Sequence, residues 1–110
     1  MKYDAVYLKH ILESIELIQQ YIEGITLNDF TLSKQTQDAV IRRVEIIGEA
    51  TKKVSSLTRD ANTEIPWKLI AGMRDMLIHE YFGVDLEEVW DTCHYDIPIL
   101  KKQIRKILGV

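Results

Sequence analysis

Between positions 71 and 83 the chain reads AGMRDMLIHEYFG, placing Arg74, His79 and Tyr81 in an otherwise apolar, helix-forming run. A histidine with its usual pKa of about 6.5 gives and takes protons near neutral pH. The planar fork of an arginine holds two oxygens of a phosphate at once. Together the two side chains suit reaction at a phosphodiester, where protons must move while an anionic transition state is held. Tyr81, seven positions after Arg74, falls on nearly the same side of a helix and so belongs to the same neighbourhood.

Helix geometry constrains this pair. At about 100° per residue, five positions separate Arg74 from His79 by about 140° around the axis. Either the long arginine wraps round, the last turn is distorted near Gly83, or two protomers each contribute part of a composite site; the last is the reading preferred here. Asp75 lies four positions before His79 and shares its face. There it can accept a hydrogen bond, fix the tautomer and favour the imidazolium, as does the C-terminal end of the helix dipole. Glu80 is expected to be solvated.

The remaining chain must hold that segment. Its 110 residues suit one domain, residues 1–110, with one core. Apolar residues at 46% and charged residues at 28% describe a globular rather than a disordered chain. Fourteen basic against seventeen acidic residues give a net charge of −3, which argues against nonspecific nucleic-acid binding by the whole surface and leaves only a local patch. The single Cys93 excludes an intrachain disulfide and fits a reducing compartment. Charged residues Asp4, Lys9 and Glu13 interrupt any signal-peptide core, and no apolar run approaches the roughly 20 residues of a membrane span, so a cytoplasmic protein is expected.

Apolar positions Leu8, Ile11, Leu12, Ile15, Ile18 and Ile22 recur at steps of three and four, predicting a helix from Asp4 to about Gly24. Residues 25–32 read as a connection whose Leu27, Phe30 and Leu32 fold back on the core. Ser33 is expected to cap a second helix over 34–56, with Val40, Val44, Ile47 and Val54 inside. Its polar side carries Arg42, Glu45, Glu49 and Lys52 or Lys53, which form either a solvated stripe or a lining opposite His79. Gly48 in mid-helix implies that a neighbouring helix packs closely. Residues 57–65 read as a polar linker. Pro66 and Gly83 bound a third helix, apolar over most of its circumference and expected to be the most buried. Asp85, with Glu88 three residues on, caps a fourth helix that Pro98 should kink or split. Lys101, Lys102, Arg105 and Lys106 crowd its end, as the helix dipole favours or as an RNA-contacting patch would require. Tyr3, Tyr7 and Tyr21 are expected to pack or to face a partner. Cys93 and the three histidines lack a metal-ligand spacing, so no metal or other cofactor is expected. The fold class that results is an all-α, antiparallel bundle of four to five helices.

The order Arg74, four residues, His79, one residue, Tyr81 resembles the R-x4-H-x-Y pattern of the HEPN superfamily and, more closely, of the HepT toxins. The resemblance extends over RRVEIIGEATK (42–52), over IPWKLIAGMRDMLIHEYFGVDLEEVW (65–90) and over the helical order of almost the whole chain. It implies a HEPN-type bundle and the toxin of a type VII-like toxin–antitoxin system: a metal-independent endoribonuclease working at a homodimer cleft, with larger oligomers open. Arg74 and His79 would be catalytic, with Asp75, Glu49 and Arg42 in support. It further implies a cognate MntA-like nucleotidyltransferase antitoxin that adds AMP to Tyr81, bringing negative charge to Arg74 and filling the RNA groove. The alternative is a noncatalytic helical module serving a nucleotidyltransferase as a substrate-binding or dimerisation partner.

Overall fold

A computed structural model describes residues 3–79 and 85–110, and within the helix that ends at His79 the side chains of residues 74–79 lie outside the description. The described residues form an all-α bundle with no strand. Its long members are α1 (Asp4–Ile22), α3 (Lys34–Lys53), α5 (Trp67–His79) and a rod made of α6 (Leu86–Asp91), a π-helical turn (Thr92–Asp96) and α7 (Ile97–Leu108). Two short helices, α2 (Leu27–Leu32) and α4 (Ser56–Ala61), lie within the expected connections and bring the helical rods among the described residues to six.

The core follows the three-and-four spacing of the sequence. Leu8, Ile11, Ile15, Ile18 and Ile22 of α1 are buried against Val40, Val44 and Ile47 of α3, and Ile97, Leu100 and Ile104 of α7 join them. Burying one such side chain stabilises the fold by about 1.5–3 kcal/mol. Gly48 is also buried, on the helix that packs against both α1 and α5. Helix α1 ends where Gly24 takes a φ of 75°, a left-handed conformation that costs glycine little.

The connections are more structured than expected. Thr26 Oγ1 accepts from the Asp29 amide at 3.1 Å while Asp29 Oδ2 accepts from the Thr26 amide at 3.0 Å, a reciprocal cap that starts α2. Phe30 is buried as expected, but Leu32 is 78% exposed instead of folding back. One turn of helix puts Phe30 and Leu32 about 200° apart, so both cannot face the core. Gln37 Nε2 donates to the carbonyls of Phe30 and Thr31, each at 3.0 Å, satisfying the free end of α2. Ser33 caps α3 as its type and position suggest, accepting from the Thr36 amide at 3.2 Å.

Helix α3 stops at Lys53, three residues before its expected end, because Val54 is extended and Ser55 begins α4 by accepting from the Thr58 amide. A clasp across the chain fixes this corner. The buried Asp4 carboxylate accepts from the amide and hydroxyl of Ser55 and from the hydroxyl of Thr58. Burial by itself would raise its pKa; those three hydrogen bonds outweigh it and hold the carboxyl below its usual 3.8.

Pro98 neither breaks nor ends the last rod. The turn before it widens to the π form, backbone dihedrals stay helical through Asp91, Thr92, Asp96 and Ile97, and the ring occupies the first turn of α7. Widening relieves the clash of the proline ring with the preceding turn and spares the hydrogen bond it cannot donate. Asp85 caps this rod as expected, accepting from the amides of Glu87 and Glu88 at 3.0 and 3.2 Å. Gly109, with φ 74°, closes it.

Candidate functional site

The site begins with what holds α5. Trp67 and Ile70 are buried, the Trp67 indole donates to the Asn62 carbonyl at 3.0 Å, and the Ile70 amide closes the first turn onto Pro66 at 3.0 Å. Asn62 is itself tied to the Thr58 carbonyl at 2.8 Å. The Asp4 clasp, α4 and the start of α5 are thus linked in sequence by hydrogen bonds, giving the helix that carries the motif a fixed base.

From that base α5 runs as regular α-helix through His79. Arg74 and His79 therefore keep the separation of about 140° that an ideal helix imposes, with a rise of about 7.5 Å between them. The register can be read against the described first half of the helix. In that half Trp67 and Ile70 face the core, whereas Lys68 and Gly72 are exposed. Tyr81 and Gly83 lie outside the described residues, as do the side chains of Arg74, Asp75 and His79.

The expectation that α5 is the most buried helix does not hold for its described half. Lys68, Leu69 and Gly72 are exposed, Leu69 at 68%, because α5 packs on α3 with one flank only. Beside that flank runs a largely apolar groove of about 220 Å³ between α5 and α7, in which Leu69, Ile70 and Met73 meet Val44, Ile47 and Ile99. Ile99 is 59% exposed. Met73 thus brings the residue just before Arg74 against the middle of α3.

The other proposed participants are placed on the surface of α3. Arg42 is exposed and pairs with Glu45 at 3.7 Å, a contact three positions apart on one helix, and Glu49 is exposed on the same side. Ion pairs of this kind are worth a few tenths of a kcal/mol. Of the tyrosines, Tyr3 is exposed, while Tyr7 and Tyr21 pack against the core, with Lys53 Nζ 6.0 Å from the Tyr7 ring. Cys93 is buried, and desolvation pushes its thiol up to about 12, so it offers no thiolate. His94 is occupied: its ring lies 4.1 Å from that of Trp90 and Nδ1 is 2.9 Å from the Trp90 carbonyl.

Two cations near α5 did not emerge from the sequence. Arg59 of α4 and Lys68 of α5 line an open pocket of about 950 Å³ together with Gly72. The four-three-four spacing of Lys68, Gly72, Asp75 and His79 was the available signal for the lysine. Nothing local marks Arg59.

Comparison with known proteins follows the same helices. A family described as Ribonuclease HepT-like matches residues 11–107. A Caldanaerobacter subterraneus protein named a putative RNase is 44% identical over 108 residues, covering 98% of this chain and 96% of that protein. A Thermococcus cleftensis protein named probable ribonuclease HepT is 48% identical over 101 residues, 92% of each chain. A Methanocaldococcus jannaschii protein named gamma-glutamylcyclotransferase and putative RNase is 55% identical over 103 residues; the chain spans 94% of itself but only 46% of that relative's length. No solved structure matches the chain. No helix among the described residues is long and apolar enough to cross a membrane.

Proposed function

This chain belongs to the HepT-like ribonuclease family, and on that premise we propose that it is a metal-independent endoribonuclease, the toxin of a toxin–antitoxin pair, with Arg74 and His79 as its catalytic residues. The observation that carries the reading is the family match across residues 11–107, which contains both side chains on one helix.

The chemistry balances without a metal. An imidazole takes the proton of a ribose 2′-hydroxyl, the O2′–P bond forms, and the P–O5′ bond breaks as an imidazolium protonates the leaving O5′. The products are a 2′,3′-cyclic phosphate and a 5′-hydroxyl. Arg74 holds the nonbridging oxygens as charge accumulates on them. With Arg74 and His79 about 140° apart on a regular helix, one protomer does not aim both at one phosphate. The site is therefore composite: His79 of one protomer acts with Arg74 contributed across a homodimer cleft, and the same imidazole, protonated in the first step, returns that proton to the leaving O5′. The exposed apolar flank of Leu69 and Ile99 beside α5 gives the second copy a surface to cover. Asp75, four positions before His79, orients the imidazole; Arg42 and Glu49 of α3 border the cleft.

Control is exerted at Tyr81. A cognate nucleotidyltransferase transfers AMP from ATP to the phenolic oxygen, releasing pyrophosphate. The added phosphodiester pairs with Arg74 and its nucleoside occupies the RNA groove.

The test is RNA incubated with purified protein in EDTA, beside Arg74→Ala and His79→Ala. Cleavage by the parent protein and its loss in both variants is the expected result; equal cleavage by all three would remove the assignment. The mass of the protein after mixing with antitoxin and ATP should rise by whole AMP units, and a gain that persists in Tyr81→Phe would place the modification elsewhere.

A further inference from the structure

We propose that Arg59 and Lys68 form a second phosphate subsite, which holds the RNA backbone beside the scissile position. The proposal rests on the ribonuclease reading above and adds the path by which substrate crosses a protein of net negative charge.

Arg59 stands on α4 with its Nε buried and without a hydrogen-bond partner, and Lys68 is exposed on the first turn of α5. Both line the open pocket of about 950 Å³. Among the described residues neither enters an ion pair, whereas Arg42 is neutralised by Glu45. A guanidinium whose Nε is unpartnered and which enters no ion pair among the described residues is suited to an anion that arrives from solvent. Gly72 lines the same pocket, and an added Cβ there would meet nothing within 4 Å.

Register connects this pocket to the catalytic group. Lys68, Gly72, Asp75 and His79 succeed one another at four, three and four positions, one stripe of α5. From Lys68 to His79 the stripe rises about 16 Å, a distance that a few nucleotides cover. A backbone phosphate at Lys68 and Arg59 therefore starts on the helical stripe to which position 79 belongs. The lining also carries two carboxylates, Asp60 beside Arg59 and Glu88 of α6, and Asp85, Glu87 and Asp91 of the same rod are exposed. Direct contact of the two cations with a phosphate is how a chain with an acidic balance can retain an anionic polymer locally.

The experiment measures binding of a single-stranded RNA made uncleavable by 2′-deoxy substitution, over a series of salt concentrations, by fluorescence anisotropy. Each phosphate contact on a single strand contributes about 0.7 to the slope of log K against log salt. Lys68→Ala and Arg59→Gln should each lower the slope by about 0.7, and the double variant by about 1.4. Lys34→Ala, at the far end of α3, should leave it unchanged. Lys68 is exposed, so its variant keeps the test valid even if a change at Arg59 loosens α4, which circular dichroism reports. If the parent protein binds and cleaves RNA but the double variant keeps the parent slope, this subsite is wrong and the ribonuclease reading stands. If the parent neither binds nor cleaves, both fall.

Discussion

A composite site makes a quantitative demand that a site within one chain does not. Helix α5 is regular through His79, so Arg74 and His79 diverge by about 140° with a rise of about 7.5 Å. Arg74→Ala removes the clamp on the transition state, with an expected loss of about 100- to 1,000-fold. His79→Ala removes the proton carrier, with an expected loss of about 100- to 10,000-fold. When the two inactive proteins are mixed and allowed to exchange subunits, half of the dimers are heterodimers. In each of these, one of the two symmetric sites receives the intact arginine from one chain and the intact histidine from the other. The mixture should recover about one quarter of the parent activity under statistical exchange at a twofold interface. Native mass spectrometry establishes the heterodimer fraction, and cleavage of a fluorescent RNA gives the rate. A mixture that contains half heterodimer yet remains as inactive as its components would refute the shared site and return both side chains to one protomer.

Two further outcomes follow from the fold. Replacing both Leu69 and Ile99 by Glu should turn the proposed dimer into a folded monomer, because each side chain is largely exposed in the protomer; analytical ultracentrifugation showing an undiminished dimer would exclude this flank as the contact. Asp4→Asn should cost about 1–3 kcal/mol in urea unfolding at pH 7 by disturbing the acceptor shared by Ser55 and Thr58. Since folding lowers the Asp4 pKa below 3.8, the unfolded chain takes up the proton first, and the advantage of the carboxylate is present above that pH and fades as pH falls through the folded value. A stability gap that stays constant from neutral pH to pH 3 would contradict the clasp.

The long helices were legible because their apolar steps repeat over many turns, as Leu8, Ile11, Ile15, Ile18 and Ile22 do in α1. Caps such as Ser33 and Asp85 were legible too, since a side chain reaching its own backbone two or three residues on needs no distant partner. Helices α2 and α4, of six residues each, are too short to display a period, so they passed for connections. The Asp4 clasp joins positions 51 and 54 residues apart and has no local trace. The burial of α5 was overestimated for a different reason: an apolar side chain such as Leu69, 68% exposed, looks the same in sequence whether it lies inside or on the surface. Pro98 announced where the last rod would adjust but not that the adjustment would be a π turn. At the candidate site, Arg74, Asp75 and His79 could be proposed together because they fall on one helix. The pocket beside it could not, since it joins Arg59 to Lys68 across a change of helix.

Cleavage by the ribose hydroxyl is most directly tested on an RNA carrying a single 2′-deoxy residue immediately 5′ to the cut position. In EDTA, the unmodified RNA should yield a fragment ending in a 2′,3′-cyclic phosphate, and the deoxy RNA should resist cleavage at that bond. Continued cutting of the deoxy RNA at the same bond, or a product ending in a 3′-hydroxyl, would contradict the mechanism assigned to Arg74 and His79.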